Sequence, residues 1–368
     1  MPKSKLFAPI TVGGLTLENR IVIAPMCQYS AQDGCMTDWH LMHLGHLSHS
    51  GAGILTIEAT AVTPEGRITY ADVGLWDDRT EAAMARVVEG VRRWSRMPIA
   101  IQLAHAGRKA STDLPWQGGA QMTPDDSQGW QTVAPSPLPF DARDVPPAEL
   151  DRAGMDRIRD AFAMAATRAA RLGIDAVQIH AAHGYLLHNF LSPLSNRRTD
   201  AYGGSLEHRM RFPLEVFDAV RAAFPADRPV TVRVSGTDWV EGGWDIDQTI
   251  AFARELERRG CAAIHVSSGG LDARQAIPVA PGYQVPLARA VKQAVSIPVV
   301  AVGLITEPEH AEAIVATGDA DMVALARTIT YDPRWPWHAA AALQAVVTVP
   351  PQYLRSQPSR FKDLFRQG

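Results

Sequence analysis

Eight short apolar runs rich in valine and isoleucine recur along the 368-residue chain, and they limit its fold more than any other feature. They are Arg20–Ala24, Gly53–Glu58, Ile99–Leu103, Ala176–His180, Val230–Val234, Ala263–Ser267, Pro298–Val302 and Asp321–Leu325. The runs are continuously apolar rather than alternating, which is how strands covered on both faces read. The segments between them carry the helical period. Met155, Ile158, Phe162, Ala165, Ala169 and Leu172 form one stripe that stops at Gly173. Met210, Leu214, Phe217, Val220 and Phe224 do the same before Pro225, as do Ile246, Ile250, Ala253 and Leu256 before Gly260. Eight strands alternating with helices through right-handed crossovers predict a single (β/α)8 TIM barrel over residues 1–368. An open doubly wound sheet is the alternative, but its GxGxxG fingerprint does not follow the first strand.

Two regions break the alternation. Residues 111–148 hold seven prolines and three glycines with little periodicity, too long for a plain connection. Coming directly after the third strand, they are expected to cap the barrel mouth. The tail contains Asp332-Pro333-Arg334-Trp335-Pro336-Trp337 and later Pro350-Pro351-Gln352-Tyr353-Leu354-Arg355, and its aromatic, basic character predicts that it docks on a surface.

Composition narrows the function classes. A chain 46% hydrophobic and 20% charged buries a large core, and its net charge of −3 argues against nucleic acid or a membrane surface as partner. The start MPKSKLFAPI lacks the apolar core of a signal peptide, and no apolar run approaches the ~20 residues that span a bilayer. Three cysteines, Cys27, Cys35 and Cys261, make no disulfide framework, so a reducing cytoplasmic compartment is expected.

In such barrels the C-terminal strand ends line the active site. Here they supply Pro25-Met26-Cys27, Glu58-Ala59-Thr60, Gln102, His180 with His183, Arg233, Ser267-Ser268-Gly269-Gly270, Gly303 and Ala326-Arg327. The set shows no close pair of carboxylates and no lysine at the sixth strand end. It does hold two histidines three residues apart, with Tyr185 two further on. Arg233 inside a strand is costly without an anion, and Gly303 with Arg327 occupies the habitual phosphate position of this fold. A phosphorylated cofactor across the mouth fits. Arg108 and Lys109 read as solvated or paired residues at the loop rim.

The segments APMCQYS (24–30), EATAVTPEGRI (58–68), IQLAHAGRKA (101–110), IHAAHGYLLHNFLSPLSNRRTDAYGGSLEHRMRF (179–212) and PGYQVP (281–286) resemble the old yellow enzymes. More narrowly, they resemble the bacterial, cysteine-containing ene-reductases related to xenobiotic reductases. The resemblance implies non-covalent FMN, with Ala24, Pro25, Met26 and Cys27 along the ring, Ala59 beside it and Gln102 on its pyrimidine edge. It places Arg233 near N1 and O2, and Gly303, Ala326 and Arg327 at the phosphate; many relatives have glycine where this chain has Ala326. It further implies that NADPH or NADH reduces the flavin, which then delivers hydride to Cβ of enones, enals or maleimides. His180 and His183 hold the substrate carbonyl, Tyr185 protonates Cα, Tyr29 adds a contact and Cys27 tunes flavin and substrate. Arg355 reaches a neighbouring subunit's site in a homodimer or tetramer, with Tyr353 as its companion and the 350–368 tail at the interface.

The residues alone leave other readings open. A metal-dependent barrel hydrolase or lyase would use His180 and His183 as ligands, and zinc would need a third, for which His40, His43 and His46 lie on one helix face. A non-catalytic barrel that binds carbonyl compounds is a further possibility. Cys35 and Cys261 read as structural.

Overall fold

The computed structural model describes residues 4–368. Eight parallel strands close into a barrel in sequence order: β1 (Ile21–Ile23), β2 (Ile54–Ala61), β3 (Ile99–Ala104), β4 (Ala176–Ala181), β5 (Val230–Ser235), β6 (Ile264–Ser267), β7 (Val299–Ala301) and β8 (Met322–Leu325). The ring shuts where β8 pairs with β1 through Val323–Ile21, Ala324–Val22 and Leu325–Ile23. Every expected strand is present, so the (β/α)8 barrel expected from the sequence is the observed architecture. Strand β2 runs on to Ala61, and its register with β3 slips between Ile57 and Ala59. That slip is a bulge at Glu58. It turns the strand end so that Ala59, and not Glu58, pairs with Gln102.

The outer helices are α1 (Asp38–Ser48), α2 (Asp78–Arg92), α3 (Arg152–Arg171), α4 (Leu206–Ala223), α5 (Ile246–Arg258), α6 (Val285–Lys292), α7 (Pro308–Ala316) and α8 (Trp335–Ala342). The side chains of Asp77, Asp151, Ser205 and Asp245 accept first-turn amides and so start α2, α3, α4 and α5. The stripes read from the sequence point inward: Met155, Ile158, Phe162, Ala165 and Ala169 of α3 are all buried. Two cores result. One lies between helices and strands and takes residues such as Ile57, Ile101, Val177 and Phe162. The other fills the barrel with Val22, Ile54, Ala100, Ala176, Ala263, Val300 and Met322. No described helix is long and apolar enough to cross a membrane.

A hairpin that the sequence analysis passed over plugs the lower end of the barrel. Ile10–Val12 pairs antiparallel with Leu15–Leu17, and Val12 and Leu17 pack into the interior core. Its signal was legible: Gly13-Gly14 between two alternating triplets is a two-residue hairpin loop. Gly14 is obligatory there, because a Cβ would lie 2.2 Å from the Asp227 carbonyl oxygen.

The 111–148 segment has little regular structure beyond a 3-10 turn at Pro115–Gln117 and a pair of two-residue strands, Val133–Ala134 with Ala148–Glu149. The tail docks on its own chain: Val347–Val349 pairs with Phe365–Gln367, and Trp337 meets Tyr353 at 5.8 Å and Phe365 at 4.8 Å. Truncating Phe162, which is fully buried between α3 and the barrel, to alanine is expected to cost ~3–5 kcal/mol. A thermal melt checks this, with the midpoint falling well below that of the parent chain.

Candidate active site

Parallel register puts the chemistry at one end of the barrel. His180 and Arg233 are paired neighbours on β4 and β5, and Gln102 and Gln178 are paired neighbours on β3 and β4. The His180 ring stands 5.1 Å from that of His183 and 4.9 Å from that of Tyr185, edge to face in both cases. The three side chains singled out at the end of the fourth strand therefore form one cluster.

Backbone strain shapes that cluster. His183 sits at φ 59° and Gly184 at φ 76°, facing Gly269 and Gly270 in the same left-handed region after β6. The two turns touch backbone to backbone: a Cβ on Gly184 would lie 2.2 Å from the Gly270 carbonyl oxygen. Lys109 ties them together, its Nζ donating to the His183 oxygen at 3.0 Å and the Gly270 oxygen at 2.8 Å. Its ammonium also faces the rings of Phe140 at 4.6 Å and Tyr185 at 5.4 Å. Arg108 donates to the carbonyls of Leu138, Pro139 and Leu271. Both side chains are thus built into the site wall: of the two sequence readings, solvated or paired, the paired one holds, with loop carbonyls as the partners. Polarity alone left both open; the unpaired carbonyls that these cations satisfy exist only once the loops fold.

The backbone holds the His180 ring, and a serine hydroxyl holds that of His183. Ala182 N–H donates to His180 Nδ1 at 3.2 Å, which leaves the proton of the neutral ring on Nε2. His183 N–H donates to Ser235 Oγ at 3.0 Å, and its Nε2 lies 2.7 Å from Ser267 Oγ. Burial, then the positive charge of Arg233, hold both histidines well below the usual imidazole range, so both are neutral near pH 7. Burial pushes the Tyr185 phenol well above its ordinary value, with Cys27 and Tyr29 adding and Arg233 opposing. Tyr29 is also pushed up by burial, at φ 49°, with its ring 6.0 Å from Trp116 of the 111–148 segment. Burial drives the Cys27 thiol well above its normal range, and Asp72 and Glu58 raise it further, so it stays a neutral thiol.

Glu58 was seen as a strand-end residue without a partner acid. The fold brings Asp72 near enough to raise it, although burial is the larger cause, and its carboxyl reaches about 8. Glu58 Oε1 accepts from Gln28 N–H at 3.1 Å and lies 3.9 Å from His40 Nε2. His40 therefore turns inward from α1, whereas His46 is exposed. Among the described residues no group of three His, Cys, Asp or Glu side chains is arranged to hold a metal ion.

The same mouth suits a flavin. Arg233 is buried at 8% exposure, its Nε has no partner, and burial lowers it to about 10. The groups that oppose this lowering are Tyr185, Cys27 and Tyr283, with no Asp or Glu among them. A buried cation without a carboxylate matches a ligand that carries negative charge. Ala24 is buried and Ala59 pairs with Gln102, so small side chains leave space for a ring. Gly303 lies at φ 126° against Gln284, and Ala326 precedes the exposed Arg327 at the head of a short helix, Arg327–Tyr331. Arg355 is exposed, while the Tyr353 ring packs on its own chain, 4.9 Å from Arg334 and 6.2 Å from His49. Sequence reasoning placed Ser267 at the mouth without a role, named Lys109 only as a rim residue, and missed Ser235, Gln178 and His265. The serines lie at strand ends and were readable there; the others carry no spacing signal.

Comparison with known proteins supplies the family. A family model described as NADH:flavin oxidoreductase / NADH oxidase matches residues 5–345. The chain is 44% identical over 347 residues to an NADH:flavin oxidoreductase of Gibberella zeae, covering 90% of this chain and 84% of that one. It is 40% identical over 353 residues to the NADPH dehydrogenase of Bacillus subtilis, covering 95% and 98%. Among solved structures, morphinone reductase superposes with a TM-score of 0.76 at 30% identity, covering 100% of this chain and 94% of that one. A complex of morphinone reductase with tetrahydroNAD gives the same TM-score at 29% identity, covering 99% and 94%. The chain belongs to the NADH:flavin oxidoreductase / NADH oxidase family, the old yellow enzymes. It is an NAD(P)H-dependent flavin oxidoreductase, and FMN is its cofactor.

The raised Glu58 carboxyl has a pH signature. Its stabilising contribution is complete below the unfolded value of 4.5 and is lost as pH rises through about 8. Glu58→Gln keeps the acceptor for Gln28 and removes the proton. Thermal melts of the apoprotein between pH 5 and 8 are expected to fall less steeply for the variant than for the parent.

Proposed function

We propose that the enzyme reduces the C=C bond of α,β-unsaturated carbonyl compounds (enones, enals and maleimides) in a ping-pong cycle in which NAD(P)H and substrate use one site in turn. The observation that carries this reading is the neutral His180 ring. Its Nδ1 is occupied by the Ala182 amide, so Nε2–H is a fixed donor for a carbonyl oxygen beside Tyr185. The bound flavin supplies the hydride at the substrate Cβ. His183 completes the carbonyl site by exchanging its bond to Ser267 for one to substrate. The hydrogen bonds strengthen as negative charge builds on the oxygen, which polarises the alkene. Tyr185, kept protonated by burial, gives its proton to Cα from the opposite face. Tyr29 adds a phenol contact, and Cys27 meets flavin and substrate as a thiol rather than as a nucleophile.

On this reading Ala24, Pro25, Met26, Cys27 and Ala59 pack along the flavin ring and Gln102 meets its pyrimidine edge. Arg233 balances the charge of the reduced ring, and Gly303, Ala326 and Arg327 take the phosphate. The whole chain acts as one barrel domain. Residues 111–148 cap the mouth, supported by the Trp116 contact with Tyr29 and by the Phe140 contact with Lys109. Three unpaired cysteines suit a reducing cytoplasm. The 350–368 tail lies at a subunit interface of a dimer or tetramer. The exposed Arg355 is then free to enter the neighbouring subunit's site.

Anaerobic titration with NADPH is expected to bleach the flavin band, and cyclohexenone to restore it. In the same assay, His180→Ala combined with His183→Ala should weaken phenolic ligands by one to two orders of magnitude, roughly the loss of two hydrogen bonds, while FMN stays bound. A bleached enzyme that cyclohexenone does not reoxidise, or equal phenol binding in the double variant, would reject the substrate class or the histidine role respectively. Arg355→Ala should raise KM for the enone several-fold with FMN content unchanged, and an unchanged KM would exclude a role in trans.

A further inference from the structure

Below the mouth, three buried polar side chains form a row across the inside of the barrel. Gln102 Nε2–H donates to Gln178 Oε1 at 2.7 Å, and Gln178 Nε2 lies 3.4 Å from His265 Nδ1. All three are nine-tenths buried or more, at 2%, 6% and 1% exposure. Each carboxamide has one end that donates and one that accepts, so a glutamine that accepts from one neighbour must donate to the other. The row therefore has a direction, and the histidine sets it. With Nδ1 bare, His265 accepts from Gln178, Gln178 accepts from Gln102, and the Gln102 oxygen is left over. No described protein group donates to that oxygen. With the proton on Nδ1 the row would reverse, and Gln102 would present its NH2 group instead.

The orientation of the amides supports the first arrangement, since the Gln178 NH2 group, which can only donate, faces His265 Nδ1. A bare Nδ1 puts the ring proton on Nε2, and His265 Nε2 is buried with no protein partner. His265 lines a space of about 50 Å³ together with Val12, Leu15, Thr56 and Thr231 beside the hairpin plug. That volume has room for one water molecule, a partner for the Nε2 proton. The burial of the ring, together with the charge of Arg233, keeps it in the neutral form that has one bare nitrogen.

We propose that His265 is a positioning residue for the cofactor: through Gln178 it fixes the Gln102 carboxamide with its oxygen toward the barrel mouth, as the acceptor for the N3–H of the flavin pyrimidine ring. This rests on the placing of Gln102 at the flavin edge given above. A flavin that meets a donor at N3–H loses a hydrogen bond, so the row biases both FMN affinity and the energy of the oxidised against the reduced ring.

Two measurements test it. In the FMN-loaded parent enzyme, ¹⁵N chemical shifts of the His265 ring are expected to show Nδ1 bare and Nε2 protonated, and the opposite tautomer would overturn the proposal. The second compares FMN dissociation constants and two-electron midpoint potentials for Gln102→Leu, His265→Leu and His265→Asn, each with an apoprotein melt. Gln102→Leu and His265→Leu should both weaken FMN roughly tenfold and shift the potential in the same direction. His265→Asn, whose carboxamide oxygen replaces Nδ1, should restore both. If Gln102→Leu changes neither quantity, the placing of Gln102 at the flavin fails. If Gln102→Leu acts and a folded His265→Leu does not, the row fails while that placing stands. Should His265→Leu not fold, Gln178→Leu breaks the row one residue nearer the flavin and takes its place, with the same expected and excluding results.

Discussion

The guanidinium of Arg233, buried at the barrel mouth, is the charge on which the rest of the site depends. A cation taken out of water is costly unless an anion meets it, and this one meets no carboxylate. Its field lowers His180, His183 and His265 alike, and it opposes the upward push on Tyr185. Neutral imidazoles with fixed donors are what carbonyl recognition requires, and a protonated phenol is what proton delivery requires. Burial is the main cause of both states; the Arg233 charge reinforces the first and opposes the second. That charge also makes the apoprotein electrostatically incomplete, which is the physical sense in which a flavin is part of this fold.

The acids lie on the other side of the mouth. Glu58 and Asp72 sit behind the 24–30 segment, and burial raises both, to about 8 and about 6 respectively. Their effect falls on Cys27, which keeps its proton and with it the character of a soft neutral contact. The bulge at Glu58 is what makes this division possible. By removing Glu58 from the pairing register it puts a carboxyl behind the strand and the small Ala59 in line with Gln102.

The clamp at Lys109 joins electrostatics to backbone geometry. His183 holds a left-handed conformation that costs about 1 kcal/mol or more for a residue with a Cβ. It is sustained by Lys109 on its carbonyl, Ser235 on its amide and the close approach of Gly184 to Gly270. Burial, reinforced by Arg108, lowers Lys109 to about 8, so the clamp is itself only weakly attached to its proton. The loops after β3, β4 and β6 are thereby made one body, and the histidine pair has a fixed geometry before any ligand arrives.

Much of this was already written in the chain. Continuous Val/Ile runs separated by 3.6-period stripes determined the barrel, because strands buried on both faces and helices apolar on one face have few other ways to close. The strand-end rule then drew Gln102, His180, Arg233 and Ser267 to one mouth, and the motif resemblance assigned Gln102 and Arg233 to a flavin and His180 to a substrate carbonyl. The Gly13-Gly14 hairpin was legible too and simply passed over. What the tertiary structure alone decided is which polar groups pair. Lys109 and Arg108 read as solvated or paired rim cations, and only the folded loops presented the carbonyls that pair them. Glu58 and Asp72 are fourteen residues apart in sequence and share a buried pocket only after β2 bulges. Gln178 and His265 lie within runs read as apolar strands, and only barrel closure set them in a row beneath Gln102. Burial of apolar surface is proportional to pattern and can be read one segment at a time. A hydrogen bond or an ion pair needs two atoms at one distance, and that distance exists only when the chain has folded.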